Sequence, residues 1–280
     1  MYFDAHCHLD TLSNKKQLSD YISSFAEKGG SWLICIGTDL QDSQYNHQIY
    51  ENSKLICKKN NVSLGYTMGI HPGMIAELDD TSLVWLEWQI ISYQKKRKNN
   101  NILPSWLVGI WEIWTDLHYE IWSDVYDKQI YFFDAQCQLG TKYNLPIVVH
   151  SRDDFQWTLG VVKKYPTHKF YFHCRWYSTK EIAILSEVLG DNLWIWFCWN
   201  ISYPKAKALK DSFRYAWENN VQVLLETDSP YLSIQSLRWT PNSSSNIWLH
   251  YDYISDYFDI NKDDLIQKIR QNYTWFYSWL

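Results

Sequence analysis

Glycine is scarce in this chain, with ten in 280 residues, about half of the usual share of roughly 7%. That scarcity excludes glycine-repeat fibres and glycine-rich flexible linkers. Cysteine occurs six times (Cys7, Cys35, Cys57, Cys137, Cys174, Cys198) but never in C-x-x-C spacing. Neither a zinc ribbon nor a dithiol redox motif is encoded, and reduced, mostly buried thiols are expected. An excess of positive charge is also missing: 26 Lys+Arg against 31 Asp+Glu give a formal net charge of -5, which excludes a polyelectrolyte that grips nucleic acid through bulk charge. No apolar run approaches the length of a membrane span. Met1 leads directly into Tyr2-Phe3-Asp4-Ala5-His6 without a basic and then an apolar stretch, so no signal peptide is expected. A cytoplasmic protein without a membrane partner, monomeric or weakly oligomeric, is the expectation.

Short β-rich runs alternate with longer amphipathic segments. Strands are predicted at Tyr2 to Ala5, Trp32 to Gly37, Ser63 to Met68, Leu107 to Ile110, Pro146 to Val149, Lys169 to Phe172, Leu193 to Phe197 and Val221 to Leu225. Helices are predicted near Asp20 to Lys28, Asp42 to Lys59, Thr81 to Lys98, Ser123 to Lys142, Asp153 to Tyr165, Thr179 to Gly190 and Lys205 to Asn219, with a helical close from Lys262. Strand–helix alternation of this kind makes βα units and a parallel sheet. Eight units in about 250 residues is the size of a closed (β/α)8 TIM barrel, here one domain over residues 1–280.

Chemistry-bearing side chains fall at the ends of these strands. His6 and His8 follow the first, His71 the third, Glu112 the fourth, His150 the fifth, His173 the sixth, and Glu226 and Asp228 the eighth. The C-terminal strand ends of a barrel converge on one face, where active sites are built. Alternate residues of a strand point the same way, so His6 and His8 can face one ion. A lone His-x-His is weak, and an imidazole or carboxylate that ends an apolar run can also be satisfied structurally, for example by Arg152 or Arg175. Six candidate ligands at equivalent strand ends, His6, His8, Glu112, His150, His173 and Asp228, are a stronger signal. His and carboxylate donors without thiolate suit Zn²⁺, Mn²⁺ or Fe²⁺, and a Glu can bridge two ions.

These residues carry a resemblance. The motifs Asp4-Ala5-His6-Cys7-His8-Leu9-Asp10, Gly69-Ile70-His71-Pro72-Gly73, Asn144 through His150 to Asp153, His173-Cys174 and Leu225 through Glu226 and Asp228 to Leu232 resemble the TatD family of metal-dependent deoxyribonucleases, within the barrel amidohydrolases. The resemblance spans nearly the whole chain. It implies that His6, His8 and Asp228 hold one divalent ion and His150 and His173 a second, with Glu112 between them; Mg²⁺, Mn²⁺ and Zn²⁺ are candidates. It implies phosphodiester hydrolysis, usually 3′-to-5′ exonuclease action on single-stranded DNA and in some members on RNA. In such a site Asp228 accepts a proton from the attacking water and His71 contacts the phosphate or assists proton transfer. Arg238 and Asn242 match a segment near the substrate channel, and Arg152 with Asp116 is placed to orient groups or touch substrate. The alternatives are a metal-dependent amidohydrolase or esterase, including D-aminoacyl-tRNA deacylation, or a nucleic-acid-binding barrel impaired in catalysis.

The seventeen tryptophans depart from the family in a pattern. Trp111-Glu112-Ile113-Trp114 stands where the family has Gly-Glu-Ile-Gly, and Trp176, Trp196, Trp199 and Trp239 also fall where glycine is common. Glycine serves where the backbone needs positive φ or close approach, and indole cannot replace it conservatively. Two readings stand: UGA codons read as glycine by the source organism and rendered here as Trp, or a real indole-rich chain with a rebuilt pocket. Either way, indoles flanking Glu112 are expected to crowd the metal pocket or move the strand.

Overall fold

The computed structural model describes residues 1–12, 15–37, 40–99, 107–113, 125–150, 154–173 and 177–277, without the side chains of 40–42, 72–74, 94–99 and 112. Eight parallel strands run in chain order around one sheet: β1 Tyr2–Cys7, β2 Gly30–Cys35, β3 Ser63–Met68, β4 Leu107–Ile113, β5 Ile147–Val149, β6 Phe170–Phe172, β7 Leu193–Phe197 and β8 Gln222–Leu225. Between them lie α1 Lys15–Glu27, α2 Leu40–Asn60, α3 Asp80–Asn99, α4 Tyr126–Tyr143, α5 Phe155–Val162, α6 Thr179–Leu189 and α7 Lys207–Glu218. Parallel neighbours with helical crossovers, each strand buried on both faces, give the apolar runs that marked the strands in the sequence. This is the expected (β/α)8 barrel.

The ring is joined past the strand ends. Asp228 N donates to His6 O at 3.0 Å and His8 N donates to Ser229 O at 2.8 Å, so the β8–β1 seam is made by the segments that carry candidate ligands. Two strands are longer than predicted, and the difference matters: β1 runs on to Cys7 and β4 to Ile113, which puts His6 and Glu112 inside strands rather than after them. The second strand begins and ends two residues earlier than its prediction.

A helix absent from the sequence reading, α8 Ile247–Phe258, follows the polar loop after β8. Its buried positions Ile247, His250, Tyr251 and Ile254 keep helical spacing, but it is rich in aromatic and β-branched residues of modest helix propensity, so packing rather than propensity holds it. The closing helix, α9 Lys262–Phe276, starts on the Asn261 side chain, which accepts from Asp263 N and Asp264 N. It lays Tyr273 against Phe3 and Phe276 against Tyr171, at ring separations of 5.2 and 5.0 Å. Five cysteines of the described residues are buried. Cys7 turns away from the imidazoles and donates its thiol to Ile34 O, so it is not placed as a ligand. No helix among the described residues is long and apolar enough to cross a membrane.

Candidate metal centre

His6 is fully buried in β1, and Nε2 of its ring lies 2.9 Å from His8 Nε2. Asp228 Oδ1 completes a triangle, 3.2 Å from His6 Nε2 and 3.4 Å from His8 Nε2. Donors that share an ion at about 2.0–2.2 Å are separated by such distances. The seam explains how residues so far apart in sequence meet. Asp228 also takes a left-handed backbone conformation, φ 55°, sparsely used by residues other than glycine though tolerated by Asp. That strained turn sits at the seam where the carboxylate meets the two imidazoles.

Electrostatics keep His6 and Asp228 in ligand form. Burial, then the neighbouring His173, lowers the His6 pKa to about 3, so this imidazole is neutral at physiological pH with a lone pair to give. Burial alone would raise the Asp228 carboxyl, but its interactions with the His6 and His8 rings outweigh that and hold it below the ordinary carboxylate range.

Next to this trio stands a pair. His150 Nδ1 lies 2.8 Å from His173 Nε2, and the His173 ring stacks on His6 with centroids 4.4 Å apart. Glu226, with no solvent exposure, lies between His6 and His173, its Oε2 3.5 Å from His6 Nδ1 and its Oε1 3.4 Å from His173 Nδ1. The first ligand set is thus His6, His8 and Asp228, and a second cluster is His6, His173 and Glu226. Sequence reasoning placed Glu226 at the strand end but gave it no task. The alternation that paired His6 with His8 applies equally to Glu226 and Asp228.

Asp4 fastens the two sides. Its Oδ1 accepts from Thr227 N at 2.9 Å and its Oδ2 from Thr227 Oγ1 at 2.6 Å. Burial pushes the Asp4 carboxyl up to about 6 despite these bonds. The segment carrying Glu226 and Asp228 is thereby bolted to the strand carrying His6.

A family profile described as TatD related DNase matches residues 3–278. The chain belongs to this TatD-related family. It is 24% identical over 275 residues to the metal-dependent hydrolase YcfH of Escherichia coli K12, covering 96% of this chain and 93% of that one. It is 25% identical over 251 residues to the metal-dependent hydrolase MG009 of Mycoplasma genitalium, covering 86% and 85%. Among solved structures it is similar to the TatD homologue YjjV of Escherichia coli, with TM-score 0.81 and 21% identity over 99% of this chain and 97% of that one. A TatD-family hydrolase of Entamoeba histolytica gives TM-score 0.73 and 20% identity over 98% and 96%. The chain is a metal-dependent hydrolase of the TatD family.

Within this TatD barrel the tryptophans fill the space beside the imidazoles. Trp111 and Trp196 are buried, with ring centroids 4.5 and 5.1 Å from His6 and 4.8 and 5.5 Å from His173. The Trp196 ring lies only 3.5 Å from that of Tyr171, well inside the roughly 4.5–7 Å usual for aromatic pairs. The indole N–H groups of Trp111, Trp196 and Trp199 are buried without a hydrogen-bond partner, whereas Trp194 Nε1 donates to Asn272 O at 3.1 Å. Of the two indoles flanking Glu112, Trp111 crowds the imidazoles, and Trp114 lies outside the described residues.

The other predicted residues are placed as follows. His71 is half-buried just after β3, on the same barrel face. Arg238 is exposed, its guanidinium 4.7 Å from the Tyr203 ring centre and 5.2 Å from that of Trp239. Asn242 is buried and its amide is spent inside the loop: Nδ2 donates to Thr227 O and Leu232 O, and Oδ1 accepts from Ser243 N and Asn246 Nδ2. It braces the β8 segment and offers no spare donor to a substrate. The Glu112 side chain and all of Arg152, Asp116, Trp114, Trp176 and Cys174 lie outside the described residues.

Proposed function

We propose that this chain is a two-ion phosphodiester hydrolase that removes nucleotides from the 3′ end of single-stranded DNA. The observation that carries the proposal is the largely buried triangle of His6, His8 and Asp228 beside the His150–His173 pair. The donor set is imidazole and carboxylate with suitable spacing, and it fits divalent Mg²⁺, Mn²⁺ or Zn²⁺. His6, His8 and Asp228 would hold one ion and His150 and His173 the other, with Glu112 as the carboxylate they would share.

Bound divalent ions supply water activation and neutralise charge on the scissile phosphate. The chain's own groups do the rest. Asp228, kept ionised by its histidines, takes up the proton of the attacking water. His71 contacts the phosphate from the third strand end. Tyr231, exposed with its ring 5.4 Å from that of His8, offers a face on which a terminal base stacks, and the Tyr203–Arg238–Trp239 group offers a second stacking and phosphate contact. This local provision reconciles nucleic-acid binding with a net charge of -5.

The test is a digestion series with end-labelled single and double strands under Mn²⁺, Mg²⁺ and Zn²⁺. Progressive shortening from the 3′ end, abolished in Glu112→Ala, is expected; full activity of Glu112→Ala would refute the assignment. A second reading, a barrel that binds nucleic acid without turnover, is favoured by Trp111 and Trp196 packing against His6 and His173. Binding of single strands without cleavage under all three ions would select it.

A further inference from the structure

His6 and His173 turn different nitrogens in different directions. The Nε2 of His6 faces His8 and Asp228, while the Nε2 of His173 faces His150. Their rings lie nearly parallel, with an interplanar angle of 28°, and both Nδ1 atoms face Glu226, one toward each carboxylate oxygen. Both separations, 3.5 and 3.4 Å, close to ordinary N–H···O bonds with a contraction of about 0.5 Å. His6 Nδ1 is buried with no hydrogen bond of its own, so Glu226 is the acceptor it faces.

An imidazole can give only one nitrogen to an ion, and the group at its other nitrogen decides which. A carboxylate at Nδ1 holds the proton there, leaves the Nε2 lone pair outward and makes it a better donor. Glu226 has two oxygens and stands where two such rings come together. The geometry points to Glu226 as a positioning residue that fixes the Nδ1–H tautomer of His6 and His173 at once, linking the two halves of the metal centre through one buried carboxylate. This inference rests on the metal-centre reading above for its consequence in ion binding; in the metal-free protein Asp228 Oδ1, 3.2 Å from His6 Nε2, is the rival acceptor for the His6 proton, and the tautomer reports which carboxylate holds it.

The two parts separate experimentally. Long-range ¹H–¹⁵N NMR of metal-free protein labelled at histidine, with His6 and His173 assigned by single substitution, reads each tautomer directly. Nδ1–H at both positions is expected. Nε2–H at either ring overturns the proposal, and is the result expected if Glu226 and the two Nδ1 atoms instead form an ion site. Zn²⁺ titration by calorimetry then compares the wild type with Glu226→Gln and Glu226→Asp. Glutamine offers one acceptor and one donor, so one ring loses its proton acceptor; a loss of Zn²⁺ affinity of about 10–100-fold is expected, with partial recovery in Glu226→Asp. Unchanged tautomers in Glu226→Gln overturn the proposal. A wild type with both Nδ1–H tautomers that takes up no Zn²⁺ removes the metal reading and leaves the role of Glu226 in setting the tautomers standing.

Discussion

Replacing Trp111, Trp196 and Trp199 together by glycine separates the two readings of the tryptophan pattern. If the barrel is built around these indoles, each replacement empties a fully buried site and costs about 3–5 kcal/mol. Three of them cost about 9–15 kcal/mol, as much as the whole stability of an ordinary domain, and the triple variant does not fold. If glycine is the native residue, the ledger reverses. Each indole N–H now buried without a partner costs about 1–3 kcal/mol, and the 3.5 Å approach of Trp196 to Tyr171 adds overpacking strain of about 1–3 kcal/mol. Trp239, 91% exposed at φ 87°, pays for a backbone region that glycine occupies freely. The glycine form should then fold with a raised Tm and open space beside His6 and His173. The assay is thermal and urea unfolding of protein from two synthetic genes, one carrying Trp and one Gly at these positions, alongside peptide mass analysis of the native protein across residues 111–114. Intact Trp111 and Trp114 in the native peptide, or an unfolded glycine form, would refute glycine recoding.

Other expectations can be checked independently. Asp228→Asn keeps the shape of the trio but removes its charge, and should reduce Zn²⁺ affinity by at least tenfold by calorimetry; unchanged affinity would exclude the triangle as a site. The pKa of His250 is lowered by burial to about 3, like that of His6. Both groups are neutral in the native state while the unfolded chain takes up protons below about 6.5, so the stability they contribute is present above pH 6.5 and is lost as pH falls toward 3. Asp4, raised to about 6, works in the opposite sense below that value. Urea midpoints of metal-free protein should therefore decline below pH 6.5, and His250→Phe should flatten the slope by about 1.4 kcal/mol per pH unit. Arg238→Ala should weaken binding of single strands several-fold and reduce its salt dependence, leaving Zn²⁺ affinity unchanged. An altered Zn²⁺ affinity would show that the stack supports the centre instead.

The barrel was legible because each of its strands is buried on both faces and therefore reads as an apolar run bounded by polar punctuation. His6, His8 and Asp228 were legible for the same reason, since a polar group that ends such a run has to find a partner. Glu226 was harder to assign. It stands one step from Asp228 in an alternating pair, but its task depends on the ring stacking of His6 on His173, which no local pattern encodes. Asp4 carried no signal either, because its partner Thr227 is a neighbour only once the seam is made. Asn242 shows the converse: an amide that motif position suggested for substrate is consumed by four bonds within its own loop. The α8 helix was missed because tertiary burial, rather than propensity, stabilises it.

The β8–β1 seam has a consequence for the timing of activity. Its bonds join residues 4, 6 and 8 to residues 227, 228 and 229, so the first strand of the barrel waits for its last. Contacts so distant in sequence are slow to form. Until they do, His6 and His8 lack Asp228, and Glu226 is not beside the stacked rings. A nascent or truncated chain ending before Asp228 therefore has no assembled centre, whatever ions surround it. Hydrolytic capacity arrives in one step with ring closure.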